Sequence, residues 1–253
     1  MLVLLLAAAC STGPRTYEEE LLYWRTEKDA AFKSGEDSPI PEAQRQAFTG
    51  LSYFDIDPRM RVPASLVESP DSSRIIEMDT TAGNRDRFRV IGRLEFTLHG
   101  EKRALTAYVA EKAADTRRLF VPFGDTTNRG DTYGGGRYLD LSRSSIGIYD
   151  LDFNRAYNPF CVYDARWECP IPPRENRLPI EIRAGEKMPA GKKLSFGGSE
   201  VREFGGSSVR FESKPGREAC GLSAPQETGG ERSGASLPQA NSRTPEPPNP
   251  RTL

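Results

Sequence analysis

The stretch RFRVIGRLEFTLHGEKRALTAYVAE, residues 87–111, constrains the fold more than any other part of the chain. Phe88, Val90, Leu94, Phe96 and Leu98 share one parity, while Arg87, Arg89, Arg93, Glu95 and Thr97 share the other. Apolar residues recurring every second position describe a strand that buries one face. A two-residue Gly100-Glu101 turn of type II′ is the expected link to a second strand. It sets Phe96 opposite Leu105, Leu94 opposite Ala107 and Gly92 opposite Val109, all apolar or small. An isolated hairpin is barely stable in water, so this one needs a sheet to join.

Shorter strand candidates lie at 61–67, 74–79, 119–122, 137–141, 147–151 and 179–183. Strands and helices do not alternate, and there is no dinucleotide glycine pattern or phosphate loop, so no cofactor is expected. The expected fold class is mainly β (α+β): an antiparallel β-sandwich or partly closed barrel with an N-terminal helix. That helix is TYEEELLYWRTEKDAAFK, where Thr16 and Glu19 fit a capping box and the acidic first turn suits the helix dipole. Leu21, Trp24, Ala31 and Phe32 recur near helical spacing and mark the face expected to dock. Gly35 and Pro39 end the helix, and SPIPEAQRQAF reads as a turn and one short helix capped by Ser38.

Two stretches lie outside this pattern. The chain opens with MLVLLLAAAC, an apolar run too short to span a bilayer as a helix. Ala7-Ala8-Ala9-Cys10 is similar to the lipobox of bacterial lipoproteins, in which the cysteine thiol receives a diacylglyceryl group. That resemblance implies a lipid membrane as partner through acylated Cys10 and a location in the cell envelope. With Ser11 next, it implies the periplasmic face of the outer membrane if the organism has two membranes. At the other end Gly, Ser, Pro, Glu and Arg dominate, and such a segment cannot bury enough apolar surface to offset its ordering entropy. The apolar share of 36% is low for a wholly packed chain, in keeping with such a tail. A net charge of −1 argues against a nucleic-acid partner. The expected organisation is a signal segment at 1–10, a helical region at 11–60, a β domain at 61–188 and a disordered tail at 189–253.

FVPFGDTTNRGDTYGGGRYLDL and the later DFNRAYNPFCVYDARWECPIPPRENRLPIEIRAGEK, with FTGLSYFDID upstream, resemble the bacterial family catalogued as domain of unknown function 1684. The resemblance runs from about residue 17 to 188. It implies a compact, mostly β domain, often exported or lipid-anchored, with no assigned activity and no catalytic residues to carry over.

The segment from Asp152 to Glu186 holds the candidate site. Asp152, Asn154, Asn158, Glu175, Asn176 and Arg177 supply acids, amides and a cation, and Arg137 and Tyr138 follow the triple glycine Gly134–Gly136. Carboxylates that move protons need burial or a partner to shift their pKa. The same residues also cap turns, and Glu175 with Arg177 or Arg137 would make a buried ion pair. The triple glycine fits an anion cradle or a turn with a bulge. Cys161 and Cys169 are expected to form a disulfide that closes their loop, with two packed thiols or a thiolate metal site as the alternatives. With no CxxC and one histidine, His99 at the hairpin tip, the metal set is poor, and no metal is expected. Two functions follow: an envelope lipoprotein whose stiff loop surface binds a small ligand or an envelope protein, or a small carboxylate-dependent enzyme with a cleft formed by the 134–140 and 152–177 loops.

Overall fold

The structure is a computed structural model that describes residues 15–189. Cys10 and the tail lie outside these residues. Helix α1 (Tyr17–Ser34) and the short α2 (Glu42–Arg45) precede seven strands: β1 (Arg61–Glu68), β2 (Ile75–Asp79), β3 (Arg85–Leu98), β4 (Glu101–Ala110), β5 (Arg118–Phe123), β6 (Arg137–Ser142) and β7 (Ile148–Asp152). They form one antiparallel sheet in the order β6-β5-β4-β3-β1-β7, with β2 pairing the first half of β3. The sheet curls into a nearly closed barrel as β7 approaches β6. Of the two expected architectures, the barrel is the one that forms.

The β3–β4 hairpin is present, with its register displaced by two residues from expectation. His99 and Gly100 are its turn, with φ of +53° and +79°. Two positive φ values call for a type I′ turn; type II′ needs only the first. Leu98 therefore faces Glu101, Phe96 faces Arg103 and Leu94 faces Leu105. A shift of two keeps every side chain on its own face, so the apolar pattern alone does not expose the error.

A β-bulge between Val90 and Gly92 divides β3 into two halves that face different cores. Leu94, Phe96 and Leu98 point into the barrel with Leu105, Leu119, Val121, Phe123, Leu139, Leu151 and Phe153. Phe88 and Val90, of the same parity, instead join Met78 and Tyr108 in a separate cluster. The single continuous face read from the alternation is thus two faces.

The capping box of α1 forms as expected, Thr16 bonding the Glu19 backbone while the Glu19 carboxylate bonds the Thr16 N–H. Its docked side differs from expectation: Leu21 and Phe32 are buried together with Arg25 and Lys28, and Trp24 only partly. Helix α2 is preceded by Pro41; Ser38 instead bonds the Phe32 carbonyl and the Ile40 N–H, turning the chain after α1. Residues 179–183 form no strand. Ile182 in this stretch is buried; the Ile180 carbonyl accepts the Thr126 N–H at 3.0 Å, while the Ile182 backbone bonds to side chains, as described next.

Candidate functional site

The segment after β7 is a belt of short 3-10 turns at Phe153–Arg155, Phe160–Val162 and Arg174–Asn176. Asp152 opens it. Its Oδ1 accepts the Asn154 N–H at 3.0 Å, and the Tyr17 hydroxyl of α1 donates to both of its oxygens at 2.9 and 3.0 Å. Arg155 Nε lies 3.3 Å from the same carboxylate. Burial, then the Asp152 charge, push the Tyr17 phenol well above its usual range, so it stays a donor. The Asn154 side chain pairs with the N–H and carbonyl of Asp57 at 3.0 and 2.8 Å. Asp152 and Asn154 therefore tie three chain segments together.

Asn176 repeats the device. Strands β4 and β5 pair only at Tyr108 and Phe120, and the Asn176 amide enters where they part. It donates to the carbonyls of Thr106 and Pro122 at 2.8 and 2.7 Å and accepts the Thr106 N–H at 2.7 Å. A buried amide with three backbone partners stands in for missing ladder bonds. The Asn158 side chain donates to the Lys187 carbonyl at 2.8 Å, and its backbone N–H reaches Glu186 Oε2 at 2.8 Å.

Arg137 is fully buried and anchors the end of the belt. Its guanidinium donates to the carbonyls of Ile182, Ala184 and Glu186, and Nη2 meets Asp125 Oδ2 at 2.8 Å. Asp125 also accepts the Ile182 N–H at 3.2 Å. These bonds replace the strand expected at 179–183. Burial lowers the Arg137 pKa and Asp125 opposes that shift, so the expected Glu175 partner is replaced by Asp125. Tyr138 is likewise buried, its hydroxyl bonding the Pro170 carbonyl and its backbone pairing with Tyr157. At Gly136, with φ +90°, a Cβ would lie 2.6 Å from both the Phe123 carbonyl and Pro172. The triple glycine ends in a tight turn against the belt, and the 134–140 and 152–177 loops meet there in direct contact.

A second buried charge lies between α1 and the barrel. Lys28 Nζ is 2.6 Å from Glu186 Oε1, both almost wholly buried, and Nζ stands 4.7 Å from the Tyr157 ring centre. Beside it, Tyr157 donates to Asp140 at 2.6 Å. Burial raises the Asp140 pKa despite Arg118 at 3.4 Å. The sequence singled out none of Lys28, Asp140 and Glu186, and it marked Asp125 only as a turn former, which it also is through the Thr127 N–H.

Glu175 and Arg177 are exposed. Glu175 Oε1 accepts the Tyr108 hydroxyl at 3.0 Å and lines a cleft of about 560 Å3 on the outside of the barrel. Val67, Pro70, Val90 and Ala104 form its apolar walls, and Glu68, Ser69, Arg74, Arg93 and Thr106 its polar lining. Among the described residues neither Arg74 nor Arg93 forms an ion pair. Asp152 does not line this cleft, so the expected acids do not converge. The sequence had marked Arg93 as outward-facing, but nothing in it tied Arg74 or Tyr108 to Glu175. Cys161 and Cys169 are free thiols in close contact, the Cys161 N–H donating to Cys169 Sγ at 3.1 Å. No group of three or more His, Cys, Asp or Glu among the described residues is arranged to hold a metal ion.

A nearly closed antiparallel barrel sealed by an asparagine-rich belt, with a helix clamped on its outside, defines a β-barrel domain. The chain belongs to the family described as "Protein of unknown function (DUF1684)", which matches residues 46–187. The solution NMR structure of an uncharacterized protein from Haloarcula marismortui is 40% identical, with a TM-score of 0.54 over 68% of this chain and 94% of that one. No curated protein matches the chain.

Proposed function

We propose that the chain is a lipid-anchored protein of the bacterial cell envelope whose barrel binds a small ligand in the cleft beside Glu175. The observation that carries the ligand reading is the pair of guanidinium groups, Arg74 and Arg93, lining a cleft in which Glu175 is already held by Tyr108. Unpaired cations on an outer wall with apolar flanks suit a molecule with an anionic end, and Glu175 offers an acceptor to a hydroxyl or amine on the same molecule. Binding is favoured over two-carboxylate proton transfer because Asp152 is buried and bonded to Tyr17, Asn154 and Arg155. The envelope half of the proposal rests on the apolar run ending at Cys10. Its outer-membrane, periplasmic placement rests on Ser11.

Two measurements test it. Cys10→Ala is expected to move the protein from the membrane fraction to the soluble one; unchanged fractionation and processing sink the anchor. Titration of the full chain with small carboxylates and amino acids, followed by NMR, is expected to shift resonances of Thr106 and Gly92. The shifts should vanish in an Arg74→Ala, Arg93→Ala double variant. Shifts that persist in that variant place binding elsewhere.

A further inference from the structure

The loop between Cys161 and Cys169 carries a second chemistry, independent of the cleft at Glu175. Cys169 is buried and fixed on the β2–β3 turn: its N–H donates to Thr81 Oγ1 at 3.1 Å and its carbonyl accepts the Thr81 N–H at 3.0 Å. Glu168 beside it accepts from Thr80 and Asn84, and the Ile171 N–H reaches the Asp79 carbonyl at 2.7 Å. Cys161 is the middle residue of the turn Phe160–Val162, is partly exposed, and lies 3.8 Å from the Tyr133 hydroxyl. The Cys161 N–H donates to Cys169 Sγ at 3.1 Å, which sets the two residues side by side. Cys161 is thus the more exposed residue of the pair and Cys169 the buried one.

We propose that Cys161 and Cys169 form a reversible dithiol–disulfide couple, with Cys161 the thiol that meets the oxidant and Cys169 the thiol that resolves it. The oxidant class is a low-molecular-weight disulfide, RSSR. Cys161, as thiolate, attacks one sulfur of RSSR; the Cys161–SR bond forms, the RS–SR bond breaks, and one RS⁻ leaves. Cys169, as thiolate, then attacks Cys161 Sγ and expels the second RS⁻. Two electrons pass from the protein thiols to RSSR, and the two thiol protons end on the two RS⁻ groups.

The asymmetry of the pair supports these roles. The hydrogen bond from Cys169 lowers the Cys161 thiol, whereas giving up that bond, together with burial, raises Cys169. Thiolate character and exposure both select the attacking sulfur. Closing the bond would tie the turn at 160–162 to the Thr80–Thr81 anchor and stiffen the loop that carries Asp164, Arg166 and Trp167. Those three residues face Ser38, Ile40 and Arg45 across a second cleft of about 600 Å3.

The test equilibrates the full chain, without denaturant, in glutathione buffers from fully reduced to fully oxidised. Free thiols are then alkylated and the peptides mapped, which separates this pair from the other two of the chain's four cysteines, Cys10 and Cys220. The expected product is one Cys161–Cys169 link that forms under oxidised glutathione and reopens under reduced glutathione. Cys169→Ser is expected to hold a glutathione mixed disulfide on Cys161. In Cys161→Ser, Cys169 is expected to react roughly tenfold more slowly than Cys161 does in the parent. Three results overturn the couple: both thiols fully alkylated after oxidised glutathione, a link that reopens only after unfolding, or glutathione found first on Cys169.

Discussion

Arg137 and Arg93 are the same side chain in opposite situations. Arg137 sits at the end of the belt with no exposed surface, three backbone carbonyls and Asp125 around its guanidinium. Arg93 stands on the outer face of β3, exposed and without an ion pair, on the rim of a cleft. Asn176 and Glu175 repeat the contrast one residue apart: the amide is buried among backbone groups, and the carboxylate looks outward. A polar residue whose bonding capacity is used inside the protein holds shape, and one with capacity left over is available to a ligand. Adjacent motif residues can therefore serve different ends.

The contrast can be broken most directly at Arg137. Arg137→Met would leave Asp125 buried and unpaired and three carbonyls without donors. The expected loss is about 3–5 kcal/mol, read from urea unfolding. A variant of parental stability would mean that the belt does not depend on this side chain. Lys28→Met tests the other buried pair and is expected to cost a similar amount by stranding Glu186.

Next in size is Asn176→Ala, which removes three backbone bonds between β4 and β5. A loss of about 2–3 kcal/mol is expected, together with faster hydrogen exchange at Thr106. Glu175→Gln sharpens the comparison from the other side. Its expected stability change is within about 0.5 kcal/mol, while carboxylate or amino-acid binding in the cleft changes measurably. Unfolding of that variant would return Glu175 to the structural class.

The smallest effect is expected at Asp140. Because burial raises its folded pKa, its favourable contribution is complete below the unfolded value and is lost as pH rises through the folded one. Asp140→Asn should therefore gain on the parent protein as pH rises from the unfolded value toward neutrality, measured as the difference in melting temperature. A gain that instead grows toward acid pH would reverse the assignment.

Much of the barrel was legible because alternation survives small errors of register: β1, β2, β5, β6 and β7 each lie within about two residues of their expected bounds. The features that were not legible share a cause. The bulge at Ile91, the strandless course of 179–183 and the cations on the docked side of α1 are all set by partners distant in sequence. Arg137 can replace a ladder only because Ile182 is brought to it, and Lys28 can be buried only because Glu186 waits there. The asparagines were read as candidate site residues or as turn formers. Their reach to Asp57, Thr106 and Pro122 has no local signature.

The Lys28–Glu186 pair also sets an order of events. The two residues are 158 positions apart, so at about 5–20 residues per second a ribosome releases the helix about 8–30 s before its counter-charge. During that interval Leu21, Lys28 and Phe32 have no completed surface to lie on, and only the capping box and local turns favour helix. The clasp can close only when nearly the whole barrel has been synthesised, and contacts of such long span are the slow ones to form. For a nascent chain, burial of Lys28 therefore marks the moment at which the domain is finished.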